Sequence, residues 1–185
     1  MSRQYFADVI IDPPIANLTA ITTLGDAVMW NAAQFTPIHA FDAYKGVGKI
    51  YRIQGGGIIS TAASAPGNIT LTPRVGTTTG GVTLGASQTA ALPTSLASQP
   101  WFLEFTLVVR TLGAPGINST CIGTGYYSMP NQASAGSADF QLFLGGTSAT
   151  VDLSIETGLI VTWNFSATVA GNSMTPQYVF IQSLN

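Results

Sequence analysis

Residues 99–111 read Q-P-W-F-L-E-F-T-L-V-V-R-T. The odd positions, Trp101, Leu103, Phe105, Leu107 and Val109, are all apolar, and the even ones include Glu104, Thr106 and Arg110. Side chains on a strand alternate between the two faces of the sheet, so this period of two predicts a strand with one face in a core and the other towards water or a partner. Pro100 fits at its start, because proline is tolerated at the first residue of a strand and not in a central ladder. A second long stretch, Val151 to Ala167, has the same pattern. Val151, Leu153, Ile155, Leu159, Val161, Trp163 and Phe165 are apolar, while Asp152, Ser154, Glu156, Thr162, Asn164 and Ser166 fall between them. Thr157-Gly158 marks a break, bulge or turn within it. The shared split of large apolar against small polar residues predicts that both stretches line one core.

Outward from these two, the chain is punctuated by glycine and proline. Gly48 to Ala62 reads as two strand segments, with Gly55-Gly56-Gly57 as a sharp bend or bulge between them. Pro66-Gly67 signals a turn before a strand from Asn68 to Val75. Val82 to Ala91 reads as one thin strand of small residues. Asn118 to Ser128, Asp139 to Leu144 and Gln177 to Leu184 complete the strand pattern, with Gly171-Asn172 as a turn before the last. Gly25 to Gln34 admits either a turn or two of helix capped by Asp26 or a strand with Val28 and Trp30 on one face. The strand agrees better with its surroundings.

This makes about ten short strands with turn signals roughly every 8–12 residues, the spacing of a sandwich or barrel. With no convincing long helix, the expected fold is all-β, a jelly-roll-like antiparallel β-sandwich over residues 26–185. Residues 1–25 are expected to form an extended N-terminal arm, because Asp12-Pro13-Pro14 disfavours helix. Val9, Ile10, Ile11 and Ile15 need burial, which either a neighbouring subunit or the chain's own domain would supply.

Composition narrows the function. In this chain of 185 residues only 8% are charged, against about 25% in a typical domain. Its six basic residues, Arg3, Lys45, Lys49, Arg52, Arg74 and Arg110, are scattered, and the formal net charge is −2. Phosphate neutralisation needs clustered positive charge, so nucleic acid is not an expected partner. The mean hydropathy of +0.34 raises the question of a membrane. No apolar run approaches the roughly 18 residues of a spanning helix, and no aromatic girdles bound ten-residue segments as in a barrel, so no membrane is expected either. A chain with so few charges is expected to spend much of its surface on neighbours, since a solitary soluble protein carries more. The single cysteine, Cys121, excludes an internal disulfide and a cysteine-cluster metal site, and reads as a small buried strand residue. The start, M-S-R-Q-Y-F-A-D, has no apolar signal region, so no secretory signal peptide is expected. The sequons at Asn17, Asn68, Asn118 and Asn164 then read as by-products of asparagine and threonine in strands and turns.

Chemistry is sparse. His39 lies near Asp42, but no nucleophile elbow accompanies them, and a solvated or interface histidine is the simpler reading. Glu104, Asp152 and Glu156 sit at polar positions of strands. Cross-strand pairing with Arg52, Arg74 or Arg110 accounts for them more simply than glycoside cleavage does. The glycine triplet lacks the lysine and helix of a phosphate loop, and no calcium-loop pattern occurs. Among the aromatics, Trp101 and Trp163 fall on core faces with Phe105 and Phe165. Trp30, Tyr178 and the pair Tyr126-Tyr127 are candidates to line a groove. No catalytic, cofactor-binding or metal-ligating residue is assigned, no cofactor is expected, and the chain does not read as an enzyme.

The segments F-T-P-I (35–38), G-K-I-Y-R-I-Q-G-G-G-I-I-S-T (48–61), Q-P-W-F-L-E-F-T-L-V-V-R-T (99–111) and the terminal Q-S-L-N resemble β-sandwich virion proteins of tailed bacteriophages, often small capsid decoration or cement proteins. The resemblance, one of style and strand order from about Trp30 onwards, implies a jelly-roll-like fold and a trimer on the capsid surface. The implied partners are the major capsid protein and neighbouring copies of the chain. It transfers no catalytic residues. The alternatives are a receptor- or glycan-binding module of a phage tail or fibre, with an exposed aromatic in a groove, or another minor virion structural protein. A hydrolase on a sandwich scaffold ranks below them for want of a catalytic constellation.

Overall fold

A computed structural model describes residues 18–19, 27–28, 47–76, 80–113, 118–130, 140–148, 150–154 and 157–184. Their strands are β1 (Leu18–Thr19), β2 (Ala27–Val28), β3 (Ile50–Ser60), β4 (Asn68–Val75), β5 (Val82–Ala86), β6 (Gln88–Ala91), β7 (Gln99–Thr111), β8 (Thr120–Met129), β9 (Phe140–Ser148), β10 (Leu159–Phe165) and β11 (Ser173–Ser183). They follow one hydrogen-bonded path, β1-β11-β3-β7-β8-β9-β5-β4-β10-β2, with β6 attached to β4. Every pairing is antiparallel. The all-β, jelly-roll-like antiparallel sandwich expected from the sequence is the fold observed, and its two layers belong to one curled sheet.

The expected alternation of β7 is present residue by residue. Trp101, Leu103, Phe105, Leu107 and Val109 are buried, and Phe102, Glu104, Thr106 and Val108 are half-buried on the other face. Leu159, Val161, Trp163 and Phe165 of β10 join the same core, as their pattern predicts. Trp163 meets Phe165 edge-on at 4.9 Å, and Trp101 lies 5.8 Å from Tyr127. Such contacts suit the quadrupoles of the rings, whose edges are positive and faces negative. Cys121 is fully buried as expected, and its amide donates to Ser148 Oγ at 2.8 Å.

Four local expectations need correction. Gly55-Gly56-Gly57 does not divide two segments: β3 is continuous, and the register shift lies on its partner β11, between Pro176 and Tyr178. The glycines serve close approach. A Cβ on Gly56 would strike the Tyr178 ring, and one on Gly57 would strike the Thr175 carbonyl.

The single thin strand expected from Val82 to Ala91 is two. β5 pairs with both β9 and β4, and so carries the sheet from one layer to the other, while β6 returns along β4. Gly85, at φ +84°, permits this corner, where a Cβ would meet the Gly145 carbonyl.

Val151 to Ala167 breaks at Thr157-Gly158 as expected, but among the described residues only Leu159–Phe165 forms a strand, and Val151 upstream makes an isolated bridge with Ser119. Upstream, the Asp152 carboxylate accepts from the Ser154 amide at 2.9 Å and from its hydroxyl, a side-chain turn that competes with a ladder. Within β10, Ile160 and Thr162 are buried along with the odd positions, so this strand is not one-faced. Thr162 Oγ1 accepts from Arg74 Nε at 3.1 Å.

Gly171-Asn172 is more than a turn. The buried Asn172 side chain accepts from the Ala62 amide at 3.0 Å and donates to the Pro66 carbonyl at 2.7 Å, tying the loop after β3 to the start of β11. Leu18–Thr19 pairs with Ser173 and Met174 at one end of the sheet path, and Ala27–Val28 pairs with Thr162 and Trp163 at the other. The rest of residues 1–25 lies outside the described residues, as do Trp30, His39, Asp42, Lys45 and Glu156.

Candidate functional site

The layer β11–β3–β7–β8–β9 turns its second face outward, and register places that face's side chains in transverse rows. Gln54 of β3 is opposite Glu104 of β7, Glu104 is opposite Tyr126 of β8, and Tyr126 is opposite Phe143 of β9. Neighbouring strands lie about 4.8 Å apart, so this row extends about 14 Å across four strands. The next row holds Gly56, Phe102, Ser128 and Gln141, with the Tyr178 ring lying over Gly56. On the other side lie Arg52, Thr106 and Thr124.

Alternation explains why these residues face outward. Leu142 and Leu144 point into the core, which leaves Phe143 on the opposite side, 75% exposed. Tyr127 is in the core, so its neighbour Tyr126 is not. The Tyr126 ring lies 5.9 Å from that of Phe102, tilted by 47°. Tyr178 is 38% exposed, as is Ile122 further along β8.

Polar groups stand beside the rings. Gln54 Nε2 donates to Glu104 Oε2 at 2.6 Å. Arg52 Nε lies 4.0 Å from Glu104 Oε1, beyond hydrogen-bond length, with the side chains 38% and 29% exposed. A carboxylate offers about four acceptor sites. Gln54 occupies one at short distance, and the loose contact to Arg52 leaves others facing outward. The Arg52 charge lies against that of Glu104, so the cluster is close to neutral.

The residues singled out in the sequence are thereby sorted. Glu104 pairs with Arg52 across strands as expected, but Asp152 is occupied by Ser154, and Arg74 by Thr162 and the Gly81 carbonyl. Trp101, Trp163, Phe105 and Phe165 are core residues. Of the pair Tyr126-Tyr127, only Tyr126 reaches the outer face. Tyr127 is fully buried, its hydroxyl 3.6 Å from Met129 Sδ, and burial pushes its ionisation well above the usual tyrosine range. Burial likewise pushes the Cys121 thiol up to about 11, far from a reactive thiolate. Sequence reasoning did not single out Phe102 and Phe143. Their signal was available as even positions of β7 and as the odd residue between two leucines of β9. Among the described residues, no group of three or more His, Cys, Asp and Glu side chains is placed to hold a metal, and no helix is long and apolar enough to cross a membrane.

No protein-family model matches the chain, and no curated protein matches it. A solved structure similar to it is the CBM2 module of the evolved Dit of Lactobacillus casei BL23 phage J-1, at 11% identity and a TM-score of 0.30, covering 95% of this chain and 77% of that one. A likeness at that score carries no argument about function.

Proposed function

We propose that the chain is a non-enzymatic structural protein of a tailed-phage virion, of the capsid decoration or cement type. It sits at the capsid surface against the major capsid protein and neighbouring copies of itself, in trimers. One observation carries the reading. The charged side chains of the described residues are Lys49, Arg52, Arg74, Glu104, Arg110 and Asp152, and threonine, serine, alanine and glycine supply most of the remaining surface. A surface so poor in charge suits an assembly in which many weak, uncharged contacts repeat on a symmetric lattice, where area and complementarity matter more than a few charged anchors. Within the segment expected to form an arm, residues 1–25, Leu18–Thr19 pairs with β11 of the same chain.

The test is to quantify the chain in purified particles and to measure the mass of the free protein. The reading expects a fixed ratio to the major capsid protein and a mass of three chains. A monomer absent from purified particles overturns it.

A further inference from the structure

We propose that the outer face centred on Glu104 binds a neutral hexopyranose oligosaccharide. The inference rests only on the non-enzymatic part of that reading and adds the ligand class that this face fits.

Three features converge on a sugar. The first is the bed of rings. Tyr178, Phe102, Tyr126 and Phe143 occupy two adjacent rows, and Phe143 is 75% exposed. A pyranose with equatorial hydroxyls presents a face of C–H bonds, whose slightly positive hydrogens are attracted to the negative face of an aromatic ring. The second is the polar group beside that bed. Gln54 and Glu104 are already joined at 2.6 Å, so the carboxylate is oriented before any ligand arrives. Its remaining lone pairs accept from sugar hydroxyls, while the Arg52 guanidinium and the Thr106 and Thr124 hydroxyls supply donors. The third is charge. Arg52 and Glu104 offset each other at 4.0 Å, which leaves no excess charge to select a sialylated, sulfated or phosphorylated ligand.

The geometry also sets the ligand's extent. A row about 14 Å long on an open sheet is a platform and not a closed pocket, which suits several linked sugars better than one. A protein partner fits less well. Stable protein interfaces bury about 800 Å² per partner around a desolvated apolar centre, whereas this face carries the polar trio Arg52, Gln54 and Glu104 on β3 and β7, between Tyr178 of β11 and the rings of β8 and β9.

The test uses the full-length purified chain on an array of tri- to hexasaccharides of neutral hexopyranoses, with sialylated and sulfated glycans as comparison. The expected result is binding to neutral members, weakened about tenfold by Phe143→Ala or Tyr126→Ala and by Glu104→Gln. Arg110→Ala, about 20 Å along β7 from Glu104, is expected to leave it unchanged. Phe143→Leu keeps apolar bulk and loses the ring face, so it should bind as weakly as Phe143→Ala, and this separates stacking from folding. The proposal is overturned by an array without hits, by preference for charged glycans, or by binding that survives all three site variants. If Phe143→Ala instead lowers the mass of the assembly and no glycan binds, the face is a contact between copies. Because the array needs no particle, absence from virions overturns the decoration reading alone, and a blank array overturns this one alone.

Discussion

The β7 and β10 strands carry nearly the same alternation in sequence and end in opposite situations. In β7 only the odd residues are buried, and the even ones form an open wall with Glu104 at its centre. In β10 the even residues Ile160 and Thr162 are buried as well. Threonine at an even position therefore does not by itself mark a solvent face. Thr162 is accommodated because its hydroxyl accepts from Arg74 and lies 3.3 Å from the Thr72 carbonyl, so a satisfied polar group sits in the interior at small cost. The β10 strand is buried on both faces, and the outer face of β3–β7–β8–β9 is the one proposed to bind.

That contrast breaks most visibly at Trp163. Trp163→Ala removes a fully buried indole beside Phe165 and is expected to cost about 3–5 kcal/mol in equilibrium denaturation. Phe143→Ala, an aromatic truncation on the outer wall, should stay within about 0.5 kcal/mol of the parent. Near-equal losses would erase the distinction between the walls.

Gly57→Ala probes the β3–β11 ladder within the layer that carries the outer face. Its Cβ would meet the Thr175 carbonyl, so the β3–β11 ladder must shift, at a cost of about 1–3 kcal/mol. A neutral outcome would mean that the triplet serves no close approach. Asn172→Ala leaves the Ala62 amide and the Pro66 carbonyl without their buried partner, and about 1–3 kcal/mol is expected from that loss.

A pH-dependent effect sharpens the interior of β8. The Cys121 thiol is raised from an ordinary 9.0 to about 11 by burial. Below pH 9 the thiol is protonated in both folded and unfolded chains and the contribution is fully present. Between about 9 and 11 the unfolded chain releases a proton that the folded one keeps, so stability falls with rising pH by at most about 1.4 kcal/mol per unit. Tyr127 acts in the same direction at higher pH. Following denaturation against pH for the parent and Cys121→Ala separates the two, since the variant should lose the earlier part of the decline. Parallel curves would place the thiol in contact with water.

The sequence made the strand class and the core legible because period-two alternation survives wherever one face is buried, as at Trp101, Leu103 and Phe105. What it hid follows from contacts between distant segments. The glycine triplet looked like a bend because glycine permits one, yet its purpose is to admit Tyr178 and Thr175, more than a hundred residues further on. The corner at Gly85 depends on β9, and the turn at Asn172 became a buried tie through Ala62 and Pro66. At the site, Glu104 was already at a polar strand position, but its rows with Gln54, Tyr126 and Phe143 exist only once four strands are in register. In the sequence Phe143 is one more apolar residue of a short strand, since the pattern of residues 140–144 does not say which side faces out until Leu142 and Leu144 are seen in the core.

The division between the walls is tested most directly by two-dimensional NMR of the full chain titrated with a neutral hexopyranose hexasaccharide that the array identifies. The account predicts shifts concentrated at Gln54, Phe102, Glu104, Tyr126 and Phe143, with the Trp163 indole and the Ile160 and Thr162 amides unmoved. Largest shifts along β4 and β10, or shifts spread evenly over the chain, would contradict it.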